Sequence, residues 1–235
     1  MRDRQFTILS TAPLPFERIS QIPDSIDVQV IPFTEILART DDKIKTTIRA
    51  YATRKITAVF TSAYAVKYVT ALLDQKPDWR IYCIRNETRI AVENGFGADR
   101  IARFADNAQL LSEKIISDGV KEAVFFCGDQ RMNILPENLK QHDVLLEELV
   151  VYETRLTPEK LDIRPDAILF FTPTAVRSFF SLNSLFPGTA VFAMGTTTAR
   201  ALKENTGIPV IVSPEADKAH VLGMAMEYAG SHPII

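Results

Sequence analysis

Residues 59–69 read VFTSAYAVKYV, and residues 170–180 read FFTPTAVRSFF. Each stretch has the pattern of an apolar strand, a turn rich in hydroxyl groups and the start of an amphipathic helix. A second matched pair follows, because CIRNETRIA begins at Cys83 and AMGTTTARA begins at Ala193. The repetition predicts two similar α/β lobes in one chain. Lobes of this kind usually bind a ligand between them, at the carboxyl ends of their strands.

The composition sets the broad class of the protein. Of the 235 residues, 46% are hydrophobic and 24% are charged, which is typical of a globular protein with a sizeable core. The formal net charge of −2 argues against a nucleic-acid partner, because non-specific phosphate binding needs a basic face. No apolar run approaches the roughly 20 residues that span a bilayer, and Asp3 and two prolines interrupt the N-terminal stretch, unlike a signal peptide. We therefore expect a cytoplasmic protein with neither nucleic-acid nor membrane partners, and we expect a monomer because the sequence gives no basis for proposing an oligomer.

Cysteine and histidine do not form a pattern of metal ligands. Cys83 and Cys127 each end an apolar run, which is typical of reduced, buried thiols, with a disulfide or a catalytic thiol as the alternative. No histidine has a carboxylate or a cysteine at ligand spacing, and we therefore expect no metal site at His142, His220 or His232. The chain also lacks the GxxxxGK[ST] phosphate loop and the GxSxG nucleophile elbow.

Strand and helix patterns alternate along most of the chain, which predicts mostly parallel sheets flanked by helices. The C-terminal part supplies only three strands, and the first 33 residues supply two more. We therefore predict that residues 1–33 and 155–235 form one discontinuous lobe and that residues 36–151 form the other. The stretch 144–156 has the pattern of a long strand without turn residues, and we expect it to run from one lobe into the other.

Three junctions between a strand and a helix are rich in hydroxyl groups. They are Thr61-Ser62, Thr172-Pro173-Thr174 and Gly195-Thr196-Thr197-Thr198. The first turn of a helix has free backbone N–H groups and the positive end of the helix dipole, so it binds phosphate or carboxylate without a lysine. Serine and threonine are also common N-caps, which is the structural alternative for each junction. Three such junctions in two lobes favour a shared anion-binding cleft.

Two further residues are candidates for the chemistry. Tyr152 lies beside the predicted crossing between the lobes, where a phenol facing the cleft can donate a proton. The alternative is an aromatic side chain that only packs on a strand. Arg131 follows the strand AVFFC and is placed to bind a carboxylate with both arms of its guanidinium group, or else to lie on the surface near a turn.

Taken in order, these motifs resemble the uroporphyrinogen-III synthase family. The resemblance covers roughly residues 58–225 and depends on five segments: FTSAYAV from Phe60, CGDQR with two later leucines from Cys127, VVYET from Val150, FFTPTAVRSFF from Phe170 and AMGTTTARAL from Ala193. Each motif is weak alone, and the ordered set is fairly specific. Two departures stand out: Arg85 lies where relatives often have glycine, and Thr196 lies where proline is common.

The resemblance implies two α/β lobes joined by a two-stranded linker, with the N-terminal strands in the C-terminal lobe. It implies an enzyme that closes the linear tetrapyrrole hydroxymethylbilane, a polycarboxylate, into a ring while it inverts the last pyrrole and loses water, without a metal or an organic cofactor. By this resemblance Tyr152 is the candidate acid. The expected substrate-binding residues are Thr61, Ser62, Ala63, Thr88, Arg131, Thr172, Pro173, Thr174, Gly195, Thr196, Thr197 and Thr198. The alternative is a non-catalytic two-lobe protein that binds a small anionic metabolite. A receiver-like signalling module is disfavoured, because no acidic cluster ends the strands.

Overall fold

The computed structural model describes residues 4–15 and 20–232 of the chain. By its internal contacts the chain divides into two compact units. The first unit contains residues 1–35 and 155–235, and the second contains residues 36–154.

Strands and helices alternate along most of the described chain. The strands are β1 (Phe6–Ser10), β2 (Ile26–Val30), β3 (Thr34–Ala38), β4 (Thr57–Phe60), β5 (Arg80–Ile84), β6 (Ile101–Ala105), β7 (Glu122–Gly128), β8 (Leu145–Leu156), β9 (Ala167–Phe170), β10 (Ala190–Ala193) and β11 (Val210–Val212). The helices are α1 (Asp42–Ala52), α2 (Ala63–Thr70), α3 (Glu87–Gly95), α4 (Ala108–Ser117), α5 (Ile134–Gln141), α6 (Pro173–Phe180), α7 (Thr196–Lys203) and α8 (Lys218–Ser231). The chain passes from one unit to the other within β3 and within β8, which are neighbours in one sheet.

The first unit is built on a five-stranded sheet with the order β11-β10-β9-β1-β2, in which the paired strands are parallel. Its core has two parts, because successive side chains of a strand point to opposite faces. In β9, Leu169 packs in one apolar cluster with Ile8 and Phe192, whereas Phe170 packs in the other with Phe179. A strand that is buried on both faces has the unbroken apolar sequence expected of a parallel sheet.

The second unit is built on a six-stranded sheet with the order β3-β8-β7-β4-β5-β6. From β8 to β6 the pairs are parallel. On one face three rings stack: Phe126 lies 5.1 Å from Phe60 and 5.3 Å from Trp79 between ring centroids. Phe125, the next residue back along β7, packs in the cluster on the opposite face. The predicted α/β class, with mostly parallel sheets flanked by helices, is confirmed.

Parallel strands place their carboxyl ends at one edge of a sheet. In each unit the junctions predicted to bind anions follow such ends, since Thr61 comes after β4, Thr172 after β9 and Gly195 after β10. In each unit these junctions therefore lie at the edge of the sheet where the strands have their carboxyl ends.

Candidate active site

The junction after β4 is a capped helix start in the second unit. The Ser62 hydroxyl oxygen accepts a hydrogen bond from the Tyr64 N–H at 3.2 Å and so occupies one free donor of helix α2. Thr61, Ser62 and Ala63 are all half-buried. The predicted N-cap role of Ser62 is therefore present, and it leaves other first-turn N–H groups of α2 as donors.

Tyr152 lies close to this junction. The register between β7 and β8 slips by one residue, because Cys127 pairs with Val150 and Gly128 pairs with Tyr152. A register slip of this kind, like a β-bulge, redirects the side chains around it. Burial raises the pKa of the Tyr152 phenol, and a hydrogen bond between the phenol and the Ser62 hydroxyl opposes that rise. The phenol is therefore protonated at neutral pH.

Two more tyrosines, which the sequence analysis did not select, surround Tyr152. The ring centroids of Tyr64 and Tyr68 lie 6.1 Å and 6.2 Å from that of Tyr152. The Tyr68 hydroxyl donates to the Ile36 carbonyl at 3.2 Å, whereas the Tyr64 side chain is largely exposed. Their spacing of four residues at the start of a helix was the available signal, since such residues share one face.

The junction after β5 is closed by its own side chains. Thr88, in the first turn of α3, is only 4% exposed. Before it, Arg85 pairs with Asp106 at 2.6 Å and lies 5.1 Å from the centre of the Phe104 ring. Glu87 is exposed beside them, where its negative charge disfavours a bound carboxylate. The residue that replaces the usual glycine therefore points to the edge strand β6.

Arg131, predicted to bind a carboxylate of the substrate, already has an internal partner. Its guanidinium group donates to the Glu148 carboxylate on β8 and to the Asn133 side chain. An exchange of partners is required before Arg131 can bind a ligand. The same region contains Cys127, which like Cys83 is a free, buried thiol as predicted, and burial raises the pKa of both to about 11.

In the first unit, the junction after β9 is also capped. The Thr172 hydroxyl oxygen accepts from the Ala175 N–H at 3.1 Å. Pro173 has no N–H and starts α6, where its fixed φ suits the first helical position. Thr174 is 9% exposed and its hydroxyl accepts from Arg177 at 3.4 Å. Thr172 is thus the exposed polar group of this turn.

The junction after β10 is the open one. Gly195 is the N-cap of α7 and has no side chain to bond the first-turn N–H groups. Thr196 and Thr197 lie next to it, and both are exposed. Thr198 faces inward, at 2% exposure, and donates to the Phe171 carbonyl at 3.4 Å. Gly195, Thr196 and Thr197 form the surface that can accept an anion, and Thr198 ties that surface to the neighbouring strand end.

A lysine that the sequence analysis missed lies at the same edge of the first unit. Lys218 begins α8, and its ammonium group donates to the Pro13 carbonyl at 3.0 Å and lies 5.5 Å from the centre of the Phe171 ring. It is far from Phe171 in the sequence, and no local pattern marked it. A cation beside Phe171, just after the end of β9, increases the attraction of this edge for carboxylates.

A cavity of about 1080 Å³ lies elsewhere, at the amino ends of the second unit's strands. It is lined by Trp79 and Val124 among others and contains none of the predicted site residues. In the described ranges, no three His, Cys, Asp or Glu side chains come together as metal ligands. No helix within those ranges combines the length and the apolar character needed to cross a bilayer.

Comparison with known proteins identifies the family. A sequence model described as Uroporphyrinogen-III synthase HemD matches residues 24–223. The fold resembles the uroporphyrinogen-III synthetase of Helicobacter pylori 26695, with a TM-score of 0.70 at 16% identity over 96% of this chain and 99% of that one. It also resembles a selenomethionine-labelled mutant of the Thermus thermophilus uroporphyrinogen III synthase, with a TM-score of 0.65 at 14% identity over 97% of this chain and 100% of that one. Because the family's sequence model spans most of its length, this chain belongs to the uroporphyrinogen-III synthase family.

Proposed function

We propose that this chain is a uroporphyrinogen-III synthase, a lyase of heme biosynthesis. It closes hydroxymethylbilane to uroporphyrinogen III, with loss of water and inversion of the last pyrrole ring. The family match over residues 24–223 carries this proposal, and the fold agrees with it. The alternative, a non-catalytic binding protein for a small anionic metabolite, is not favoured, because the matched family and both matched structures are named as synthases or synthetases.

We propose that the open turn at Gly195-Thr196-Thr197 holds a carboxylate of the substrate. Accessible hydroxyls and first-turn N–H groups meet the positive end of α7 there, and Lys218 adds a positive charge at the same edge of the first unit. In the second unit the turn at Thr61-Ser62-Ala63 offers N–H groups of the same kind.

The remaining predicted binding residues differ in what they can offer a ligand. The side chains of three threonines are buried, so these residues bind the substrate through their main-chain N–H groups. They are Thr88, Thr174 and Thr198. Thr172 is exposed, Pro173 supplies only its ring, and Arg131 has to leave Glu148 first.

Tyr152 is the proposed acid that assists departure of the substrate's hydroxyl group. Its raised pKa keeps the proton on the phenol at neutral pH, and the phenol lies beside the Ser62 hydroxyl at the start of α2. The product of this step is a cation on an electron-rich pyrrole, which needs no covalent help from the protein. The phenol must therefore only be held at the right place when the hydroxyl leaves.

Ring closure is then catalysis by positioning. The protein must bend the chain so that the substituted α-carbon of the last pyrrole attacks the cation, forming a spiro intermediate. The older bond from that carbon to its methylene bridge then breaks, and the released methylene cation bonds to the free α-carbon of the same ring. Loss of the proton from that carbon completes the loss of water and leaves the ring inverted. Fixed geometry of this kind lowers the barrier without a nucleophile, because the two reacting carbons are held in the orientation for attack. We propose that the linear tetrapyrrole is the only partner the reaction needs, that no metal or organic cofactor takes part, and that the protein works as a cytoplasmic monomer.

One coupled assay tests this function. Purified protein is mixed with hydroxymethylbilane synthase and porphobilinogen, and the product isomers are separated by chromatography after oxidation to porphyrins. We expect the type III isomer in proportion to the protein added. Without the protein, hydroxymethylbilane closes spontaneously to the symmetric isomer, which serves as the control. A product composed only of that symmetric isomer refutes the proposal, and thermal stabilisation by the substrate without turnover supports the binding alternative.

A further inference from the structure

We infer that Gly128 is a positioning residue for the Tyr152 phenol, and this inference rests on the function proposed above. Gly128 ends β7 and pairs with Tyr152 on β8. The phenol ring lies directly against the main chain of Gly128. A β-carbon at this position would lie 2.4 Å from Cε2 and Cζ of Tyr152 and 2.8 Å from its hydroxyl oxygen. Non-bonded carbon atoms prefer roughly 3.5–4.0 Å, so no other residue fits unless the ring moves.

The need for glycine at this position is one of space. The described glycines with φ in the left-handed region are Gly97, Gly119 and Gly188, and Gly128 is not among them. Its backbone is therefore open to any residue, and the ring of Tyr152 is the obstacle to a side chain. A glycine that makes room for one aromatic ring sets the position of that ring.

The main chain around the ring is fixed from the opposite strand. The register slip at Gly128 leaves Val151 as the extra residue of β8, and its side chain is buried in the core. The Asp129 N–H donates to the Tyr152 carbonyl at 3.2 Å, and the Thr154 N–H donates to an Asp129 carboxylate oxygen at 2.9 Å. With the backbone fixed in this way, a methyl group on residue 128 can only be accommodated by rotation of the phenol.

Rotation of the Tyr152 ring would move its phenol hydroxyl away from Ser62. In the present structure the phenol lies at the N-cap of α2, beside the ring of Tyr64. A displacement of about 1 Å at a reacting group can lower the rate by about 10²-fold. The side chain of residue 128 is therefore expected to affect the chemical step, although glycine has no group that touches the substrate.

The first test is kinetic. We expect Gly128→Ala to lower kcat by about 10- to 100-fold with KM nearly unchanged, because the phenol moves while the anion-binding turns stay in place. Gly223→Ala in α8 is the matched control, since a β-carbon there meets no atom within 4 Å. In a Tyr152→Phe background the alanine should add little, because the hydroxyl that it displaces is already gone. A full additional loss in that background overturns the inference.

The second test needs no catalytic activity and separates this inference from the proposed function. The melting temperatures of the parent, Gly128→Ala, Tyr152→Ala and the double variant are compared. We expect Gly128→Ala to lower the melting temperature of the parent and to have little effect once the ring has been removed by Tyr152→Ala. An equal loss in both backgrounds overturns the inference.

The same comparison covers the case in which Gly128→Ala alone fails to fold. Recovery of the fold in the double variant then supports the inference, and continued failure overturns it. Should the parent prove inactive as a synthase, this cycle still decides whether Gly128 sets the ring position.

Discussion

The helices α2 and α6 share a capped start and a buried Ala-Val pair, and they differ in the residues on one face. Each has a hydroxyl N-cap, Ser62 in the second unit and Thr172 in the first. Counted from those caps, the third and fourth residues are the same buried pair, Ala65-Val66 and Ala175-Val176. These residues pack under the sheet, which explains why both copies of the pattern need small or β-branched apolar side chains there.

The second and sixth residues after the cap show the difference. In α2 they are Tyr64 and Tyr68, which approach Tyr152. In α6 they are Thr174 and Ser178, which are 9% and 0% exposed. The second unit therefore places this face of α2 against the phenol of Tyr152, whereas the first unit buries the same face of α6. The scaffold is duplicated, whereas the group that can donate a proton lies in the second unit.

The junctions after β5 in the second unit and after β10 in the first unit also differ, and here the first unit has the more open turn. Thr88 and Thr198 occupy matching places in CIRNETRIA and AMGTTTARA, and both are buried. The preceding residues, however, are Arg85-Asn86-Glu87 in the second unit and Gly195-Thr196-Thr197 in the first. The shared threonine is buried in both junctions, and we propose that the three residues before it determine whether an anion can bind there. We infer a division of labour, with acid chemistry in the second unit and carboxylate binding chiefly in the first.

The largest expected effect concerns Tyr152. Replacing it by phenylalanine keeps the ring that packs on Gly128 and removes the proton, so kcat should fall by about 10²-fold. The stability of the fold should change by less than about 1 kcal/mol, because only one hydrogen bond is lost. Single-turnover cyclisation and urea unfolding measure the two quantities.

Tyr64→Phe is the control for that variant, since Tyr64 shares the cluster and its side chain is 48% exposed. We expect its turnover to stay close to that of the parent. If Tyr152→Phe retains the parental kcat, the second unit does not supply the acid. The proposed chemical difference between the two units is then wrong.

The open turn of the first unit gives the next effect. Thr197→Glu places there the charge that Glu87 places in the second unit. A carboxylate at a helix start is favourable to the helix by about 0.3–1 kcal/mol, so the fold should not weaken. A like charge facing the substrate's carboxylates should raise KM about tenfold. Steady-state kinetics measures that change.

Thr197→Gln is the size-matched neutral control and should leave KM near the parental value. An unchanged KM in Thr197→Glu, with the fold intact, would remove the start of α7 from the binding surface. The reciprocal variant, Glu87→Thr, should lower KM slightly, because it removes a repulsion at a junction that Thr88 and Arg85 otherwise close.

The alternation of strands and helices could be predicted because it depends on local periodicity. The junctions at Thr61, Thr172 and Gly195 follow directly from where apolar runs stop. Strand β3 was not predicted, since TEILA is short, half-buried and interrupted by Glu35. Its partner β8 was predicted as a strand because twelve residues run without a turn signal.

The contacts within the candidate site could not be predicted in the same way. Tyr152 meets Ser62 from a distant part of the sequence, and Gly128 meets it because of a one-residue slip in register. Neither the slip nor the pairing leaves a mark in the local pattern. The burial of Thr198 and the placement of Lys218 likewise depend on how neighbouring strands end. The roles proposed for these residues therefore stay predictions until they are tested.

A smaller expected effect is a pH dependence in the stability of the second unit. Asp118, which follows α4 in the second unit, accepts from Tyr82 at 2.7 Å and from Arg103 at 3.3 Å. Hydrogen bonding to Arg103, and then to Tyr82, holds the pKa of this carboxyl below its ordinary value of 3.8. Because the folded pKa is lowered, the stabilisation is complete above that ordinary value and disappears as the pH falls through the lowered pKa.

Asp118→Asn should therefore destabilise the second unit at neutral pH and approach the parent in strong acid. Fluorescence of Trp79, the chain's one tryptophan, reports the second unit because that residue is buried in its core. Urea unfolding at a series of pH values gives the difference between parent and variant. Asp162→Asn, an exposed change in the first unit, is the control. A difference that stays constant down to the lowest pH would contradict the assigned role of Asp118.

The smallest expected effect is a change in stability at one position of α6, compared with the matching position of α2. Ser178 occupies in α6 the place that Tyr68 occupies in α2, and its hydroxyl is buried without a hydrogen-bond partner among the described residues. A buried unsatisfied polar group destabilises the folded state by roughly 1–3 kcal/mol. Ser178→Ala removes that group with little loss of volume, and we expect the free energy of unfolding to rise by about 1 kcal/mol. Urea unfolding followed by circular dichroism measures it, since the first unit contains no tryptophan.

Ser181→Ala is the matched control for this change. The Ser181 hydroxyl donates to the Ser178 carbonyl at 2.7 Å, so its removal should give no such gain in stability. Lower stability in Ser178→Ala would mean that the hydroxyl has a favourable role in this helix. In that case α6 would differ from α2 by a hydroxyl group that stabilises the fold, and not by a buried hydroxyl group that weakens it.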